Sequence, residues 1–402
     1  MASALALCAG AFAQNAPTLK WYGFVRNYFA FDTRESSAGT EDLYYYMPKD
    51  RKLNAEGEDI NAVTSLRFAA LTSRLGVDVL GYEAGGYKFS AKIEADFYSG
   101  VSGVTGTAQM RLRQAYVTAA KGDRTWKVGQ AWHPMAADLP DIFSLESGVP
   151  FGAFSRTPQV TLDYKLSDKF YLTASAIWQM QYTSTGPEGA VANYIKYGCT
   201  PEFFLGLNYK ADGKIFRLGA DVLSIKPRRY DATGTVKVSD RLTTVNLFEY
   251  GQITTGDWTL REKLIYANDG SHMNMVGGYG VSGINTDGSW EYSATRNISF
   301  WATAICKKSK SWVPSVLVGY LKNFGTSEDI IGEFWCKNSA NSIAQMFRIQ
   351  PEIVYNIGKF AVGLEYMCTA VQYGTCGARK VADTDLHWIL NHRIQSMVKF
   401  TF

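Results

Sequence analysis

The sequence predicts a transmembrane antiparallel β-barrel of about sixteen strands. Three observations lead to this fold class. Stretches of about ten residues with alternating polarity recur along the chain, and this is the length that a tilted membrane strand needs. The connections between these stretches alternate between short turns and long loops. The sequence has no run of about 18 apolar residues that would cross a bilayer as a helix.

The predicted strands share an alternation of apolar and polar residues and are rich in Phe, Tyr, Trp, Val and Leu. In chain order they cover residues 21–33, 66–82, 87–98, 108–119, 126–132, 159–166, 170–182, 201–210, 215–225, 241–253, 258–267, 297–306, 312–323, 345–357, 360–373 and 390–402. Because no linker or shift in composition divides them, we expect them to form a single domain.

The connections fall into two classes. Short connections with hairpin composition occupy residues 83–86, 121–124, 167–169, 211–213, 255–257, 307–311 and 358–359. Long connections include residues 34–62, 131–156, 183–200, 268–296 and 324–344. Short periplasmic turns at one end and long external loops at the other are typical of outer-membrane barrels, so we expect the chain to lie in the bacterial outer membrane.

The alternation also assigns the two faces of the wall. In the predicted strand 87–98, Phe89, Ile93 and Phe97 share one side, while Lys92 and Glu94 share the other. Turning the charged side toward hydrocarbon would cost about 2–4 kcal/mol for each Lys or Arg near the midplane. We therefore expect apolar side chains to face lipid and charged side chains to face a water-filled interior. The first strand has aromatic residues on both sides, so its faces stay unassigned.

The start of the chain and the overall charge indicate an exported protein. Ala11-Phe12-Ala13 has the small-x-small form of a signal-peptidase site. We predict a signal peptide at residues 1–13 and one barrel domain at residues 14–402. The formal net charge of +4 is small and unclustered, which argues against nucleic-acid binding.

The cysteines do not predict a cofactor. Five remain after the predicted cleavage site, and they form no CxxC motif, so we expect neither a zinc site nor another cofactor. Cys336 and Cys376 fall in predicted external loops. A disulfide between them stays open, although unpaired thiols are the favoured interpretation.

The connection at 131–156 is predicted to fold inward as a constriction loop. Residues 138–148 have helix signals, with Pro140 in the first turn and Gly148 at the end. The candidate pore-lining residues are Lys88, Lys92, Arg111, Arg113, Lys127, Asp138, Asp141, Glu146, Arg156 and Arg348. We expect the three loop acids to face the wall bases Arg111, Arg113 and Lys127. The alternative is an external cap with no part in permeation.

Two segments resemble Gram-negative porins. They are Met110-Arg-Leu-Arg-Gln-Ala-Tyr-Val117 and Lys127-Val-Gly-Gln-Ala-Trp-His-Pro-Met135. With Phe154-Ser-Arg-Thr-Pro-Gln159, the segments are most similar to the DcaP-like branch found in Bacteroidetes. This resemblance implies a sixteen-stranded homotrimer, embedded in outer-membrane lipid and lipopolysaccharide, that passes small and often anionic hydrophilic solutes. Interior bases outnumber acids, which also favours anionic or mixed solutes.

Other functions fit the sequence less well than a diffusion channel. An enzyme is not expected, because the four histidines belong to no catalytic motif. An energy-coupled receptor is not expected, because the first predicted strand begins about seven residues after Gln14 and leaves no room for a plug. A soluble all-β protein such as a lectin is not expected, because it has no reason to place short turns at one end and long loops at the other. A surface adhesin or structural barrel is the main alternative, and an inward loop distinguishes the channel from it.

Overall fold

The structure, a computed structural model, describes residues 16–101, 104–231 and 233–402. Within these ranges sixteen antiparallel strands form the wall of a barrel. They are β1 (Thr18–Asp32), β2 (two segments, Ser65–Ala69 and Arg74–Ala84), β3 (Tyr87–Val101), β4 (Val104–Lys121), β5 (Arg124–Trp132), β6 (Arg156–Lys165), β7 (Phe170–Ile177), β8 (Glu202–Ala211), β9 (Lys214–Ile225), β10 (Leu242–Thr255), β11 (Trp258–Asn268), β12 (Trp290–Cys306), β13 (Trp312–Thr326), β14 (Ile343–Ile357), β15 (Phe360–Cys376) and β16 (Ala382–Thr401).

The first and last strands close the barrel. β1 pairs with β16 from Phe24 opposite Thr401 to Asp32 opposite Arg393. The predicted fold class is therefore confirmed, with one wall strand for each predicted stretch. The seven short connections are confirmed as tight links between neighbouring strands. The predicted signal peptide at 1–13 lies outside the described residues.

Several strands extend beyond their predicted bounds at the end that carries the long loops. β12 begins at Trp290 and β16 at Ala382, each several residues early. The upper part of β12 pairs with a loop strand, Gly277–Ile284, which also pairs with Phe334–Lys337. Here the strands contact other loops instead of lipid, so the alternation that predicted their lower parts is lost.

The other loops contain short elements. Ser36–Gly39 and Tyr44–Pro48 form a hairpin in the first loop, and Thr185–Gly186 pairs with Gly189–Ala190. A six-residue helix, α1, spans Asn193–Gly198, and a 3-10 turn spans Gly270–Met273. In the described part of the chain, no helix has the length and apolar character needed to span a membrane.

The two faces of the wall follow the predicted alternation. On β3, Phe89, Ile93 and Phe97 are exposed on the outside, whereas Glu94 and Asp96 are buried on the inside. Large exposed apolar side chains recur in this way on strands around the wall. A belt of this kind is stable only against hydrocarbon, so the outside of the barrel faces a bilayer.

The largest cluster of buried side chains lies inside the barrel, where the loop between β5 and β6 packs against the wall. Gly152 of this loop lies against Trp301 of β12, and a Cβ on Gly152 would be 2.7 Å from the indole nitrogen. The ring of Phe151 packs on Gly319 of β13 in the same way, and a Cβ on Gly319 would be 2.5 Å from Phe151 Cδ2. These close approaches fix the loop against one side of the interior and leave the other side open.

Candidate functional site

The inward loop, residues 133–155, is anchored to the wall by side chains that bind its backbone. Tyr28 donates its hydroxyl to the carbonyl oxygen of Phe143 at 2.6 Å, and Lys263 Nζ donates to that of Met135 at 2.9 Å. Arg348 donates to the carbonyl of Val149 at 2.9 Å. All three donors lie on different strands, so the wall supplies the hydrogen bonds that a loop would otherwise take from water.

The predicted helix at 138–148 is wrong. After a 3-10 turn at Pro134–Ala136 the loop continues through irregular turns, and Ser147 and Gly148 adopt positive φ angles of 49° and 82°. The amide of Phe143 donates to Glu352 Oε2 at 3.0 Å instead of to a carbonyl one helical turn earlier. Partners on distant strands thus replace the local hydrogen bonds of a helix.

The acidic residues of the loop face a part of the wall that was not predicted. Asp138 pairs with Arg217 at 3.2 Å, and Asp141 pairs with Arg261 at 3.0 Å. These bases lie on β9 and β11, on the far side of the interior from Arg111 and Arg113 of β4. The expectation that the loop acids oppose the β4 bases is therefore not met, because the loop turns its acidic side toward the strands that anchor it.

Glu146, the third loop acid, is completely buried beneath the loop. Its Oε1 lies 3.9 Å from an Arg348 nitrogen and 3.5 Å from Gln350 Nε2, while its Oε2 has no hydrogen-bond partner among the described residues. Burial raises the pKa of Glu146, and the nearby charges of Arg348 and Arg393 oppose that rise. The carboxyl group therefore belongs to the docking surface of the loop.

The open side of the interior contains a cavity of about 260 Å³ between the loop and strands β1 to β5. The loop contributes a largely apolar edge that includes Leu139, Pro140 and Ile142. The wall contributes four arginines, two acids and two aromatic rings, namely Arg26, Arg74, Arg111, Arg113, Glu94, Asp96, Tyr98 and Trp132, and the loop after β7 adds Tyr182. Basic side chains thus face an apolar edge across the narrow part of the barrel.

The arginines on β4 form ion pairs with β3. Arg113 contacts Glu94 at 2.7 Å and Asp96 at 2.6 Å, and Arg111 contacts Asp96 at 3.0 Å. Arg74 lies 3.7 Å from Glu94. Since three guanidinium groups share two carboxylates, the cluster keeps a positive charge.

Two further arginines add to this charge without an acidic partner. Arg26 bonds to the hydroxyl of Thr72 at 3.0 Å and has no ion pair among the described residues. Arg156 is almost completely buried, with its guanidinium 4.6 Å from the Trp132 ring, and neither of its terminal nitrogens has a described hydrogen-bond partner. Five guanidinium groups and two carboxylates therefore surround this side of the interior.

The remaining candidate bases lie in other places. Lys92 pairs with Asp78 at 2.8 Å, and Lys88 is exposed at the β2–β3 turn. Lys127 lines a separate cavity at the turn end of the barrel. Arg348 is buried under the loop. The structure thus brings Arg111 and Arg113 together at the cavity, with Arg156 close to them behind Trp132, and separates the other four bases from it.

Sequence reasoning missed Arg26 and Arg74. The aromatic residues on both sides of β1 concealed its inward face, which carries Arg26 and the buried Asp32. Arg26 and Asp32 are an even number of positions apart, so their side chains lie on the same face of the strand. This spacing is the signal in the sequence that identifies the inward face of β1.

The five cysteines in the described residues are unpaired, including Cys336 and Cys376. The sequence favours unpaired thiols over a disulfide between Cys336 and Cys376, and the structure agrees.

Comparison with known proteins shows the fold of the chain. No protein-family profile matches the sequence, and no curated protein matches it. The outer membrane channel DcaP of Acinetobacter baumannii is structurally similar, with a TM-score of 0.69 and 18% identity over 96% of this chain and 98% of that chain. The anion-selective porin from Comamonas acidovorans has a TM-score of 0.58 and 11% identity, over 96% and 100%. OmpT of Vibrio cholerae has a TM-score of 0.55 and 12% identity, over 97% and 99%.

These similarities show a shared barrel architecture. A closed β-barrel with an apolar belt around a polar interior is the architecture of bacterial outer-membrane proteins. The chain is a β-barrel of the bacterial outer membrane.

Proposed function

We propose that the chain is a porin, which allows passive diffusion of small hydrophilic solutes across the outer membrane. One observation carries the proposal: loop 133–155 narrows the interior but leaves a cavity of about 260 Å³ lined by charged side chains. A barrel that served only as an adhesin or a structural protein would not need an anchored loop at this position. The constriction therefore favours a channel over that alternative.

The charge around the cavity supports a preference for anionic or mixed solutes. Guanidinium groups outnumber carboxylates there, and rings of Arg or Lys favour anions in a narrow pore. The loop acids Asp138 and Asp141 are held by Arg217 and Arg261, so they do not neutralise the arginines at the cavity. We propose Arg111, Arg113 and Arg156, together with Arg26 and Arg74, as the residues that set this preference.

We further propose that the chain is not an enzyme. His133 and His272 are buried and both bind Glu202, at 2.7 Å and 3.2 Å. A catalytic base has to reach a substrate proton, and these rings lie beneath loops away from the open cavity.

We also propose that the chain forms a homotrimer, that it contacts lipid and lipopolysaccharide, and that it originates in the DcaP-like branch of Bacteroidetes. The resemblance at Met110–Gln159 and the similar fold of DcaP support them. One of the similar OmpT structures is described as a trimer form of that protein. Native mass spectrometry of the detergent-purified barrel tests the assembly, and a monomer would contradict it.

Solute flux into liposomes tests the channel. We expect liposomes that contain the folded protein to admit a small neutral sugar, and to admit a sugar acid of similar size faster. Liposomes without protein are the control. If a correctly folded, heat-modifiable barrel admits neither solute, the channel is excluded and the adhesin or structural alternative takes its place.

A further inference from the structure

A buried cluster of histidines and carboxylates lies at the root of the constriction loop. His133 follows β5 directly, Glu202 is the first residue of β8, and Asp221 lies on β9. His272 belongs to the 3-10 turn in the loop between β11 and β12. All four side chains are at most 2% exposed, so four separate segments meet here without access to bulk water. We call these residues the His133 cluster.

Three of the four side chains place polar atoms close enough together to bind one metal ion. One nitrogen of His133 and one carboxylate oxygen each of Glu202 and Asp221 lie within 4.8 Å of one another. His272 Nε2 lies 3.2 Å from the Glu202 oxygen that also contacts His133. Zinc binds nitrogen and oxygen at about 2.0–2.2 Å, so ligand atoms around one ion lie roughly 3–4 Å apart. The three atoms of His133, Glu202 and Asp221 lie close to that spacing, whereas His272 lies outside this group and contacts it through Glu202.

Unpartnered atoms in the cluster indicate a missing positive charge. Glu202 Oε2 and Asp221 Oδ1 are buried and accept no hydrogen bond from any described residue. The other oxygen of Asp221 accepts a bond from the amide of Asn246 at 3.0 Å. Buried carboxylates are normally paired or bound to metal, because leaving water without compensation is costly. A cation between these oxygens would satisfy both.

We propose that the His133 cluster is a structural site for one divalent transition-metal ion, with Zn²⁺ as the ion that fits its ligands best. An imidazole nitrogen of His133 and carboxylate oxygens of Glu202 and Asp221 supply three ligands. His272, which contacts Glu202, would supply the fourth ligand that structural zinc sites require. Softer thiolate ligands are absent from the cluster, and an all-oxygen set typical of Ca²⁺ or Mg²⁺ is not what these residues provide.

Metal binding would change the hydrogen bonds of His133. Its Nδ1 accepts the amide hydrogen of Met135 at 3.2 Å, so in the metal-free arrangement Nε2 carries the proton and donates it to Glu202. Coordination through Nε2 moves the ring proton to Nδ1, and the amide of Met135 gives up this bond. Metal binding also displaces any proton that the two carboxylates share, and this proton is released to solvent as the ion binds.

The bound ion would cross-link the start of the constriction loop to the barrel wall. His133 fixes the start of the loop, while Glu202 and Asp221 lie on neighbouring wall strands and His272 lies on an external loop. A metal bond between these segments restricts the loop at the end where it leaves β5. This role differs from solute selectivity, which depends on residues on the open side of the interior.

Metal content after folding tests the site. The whole barrel is folded in detergent with Zn²⁺, freed of excess metal by gel filtration, and analysed by elemental mass spectrometry. We expect one zinc per chain in the wild type. Losing a residue that only supports a metal ligand lowers metal affinity by up to about 100-fold. Because Glu202 and Asp221 are proposed as ligands themselves, Glu202→Gln and Asp221→Asn should each lower the affinity for zinc by more than that. Asp163→Asn is the matched control, because it removes a wall carboxylate at the other end of the barrel, and it should keep the zinc.

A spectroscopic measurement makes the outcome independent of whether the variants fold. Co²⁺ replaces Zn²⁺ in the wild-type barrel, and visible absorption bands of a tetrahedral Co²⁺ centre are expected. A heat-modifiable wild-type barrel without bound zinc and without these bands would overturn the proposal. The cluster would then be a network in which Glu202 and Asp221 share a proton.

Discussion

Replacing Gly152 by Ala should push the constriction loop away from the wall. A Cβ at this position would lie 2.7 Å from Trp301 Nε1 and 2.9 Å from its Cδ1, well inside normal van der Waals contact. Trp301 is only 1% exposed, so the ring has little room to move. Overpacking of this kind costs about 1–3 kcal/mol. Because 1.4 kcal/mol is tenfold, the ratio of displaced to docked loop should rise by roughly 5- to 150-fold.

Two measurements together detect this change. Denaturant unfolding of the barrel in lipid gives the loss in free energy of unfolding, and single-channel recording gives the open-channel noise, which should increase as the loop leaves the wall. Gly39→Ala is the matched control, since a Cβ there meets nothing within 4 Å. Adding Trp301→Phe removes the nearest atom and should recover part of the loss, with a coupling of about 0.5–3 kcal/mol.

The reasoning would be refuted if Gly152→Ala behaved like Gly39→Ala in both measurements. It would also be refuted if Trp301→Phe did not couple with Gly152→Ala, because the loop would then not be held by this contact.

Three further predictions follow from the same structure. Arg26→Gln should shift the reversal potential of the channel toward cations, because Arg26 lines the cavity without an acidic partner; Lys88→Gln, exposed at a turn, should leave it unchanged. The pKa of Glu146 is raised by burial, so its contribution to stability is fully present below about 4.3, the pKa of an unfolded Glu, and is lost as pH rises through the raised value; Glu146→Gln should flatten this decline in unfolding free energies. Leu218→Arg should cost about 2–4 kcal/mol in lipid vesicles, whereas Leu53→Arg, in an external loop and also 59% exposed, should cost much less.

Most of the wall could be predicted from sequence because its signals are local. Each strand alternates between lipid and interior, as at Phe89 to Phe97, and six of the seven short turns carry a Gly or Asp. The prediction failed where strands pass above the belt, as at the start of β12, since other loops replace lipid there and both faces lose their pattern.

The constriction loop was located correctly, but its conformation was not. Pro140 and Gly148 are local helix signals, yet the loop is shaped by Tyr28, Lys263 and Arg348, which are distant in sequence. A long-range partner leaves no trace in local spacing. For the same reason the sequence did not show that Asp138 turns toward Arg217, or that His133 meets Asp221.

Reversal potential across a planar bilayer tests the central claim most directly. The wild-type barrel is inserted into the membrane, and current is recorded under a gradient of potassium chloride. Stable stepwise openings with a reversal potential on the anion side are predicted, because guanidinium groups dominate the cavity. Stable openings with a cation preference would contradict the role of the arginines, and a folded barrel that never conducts would contradict the channel itself.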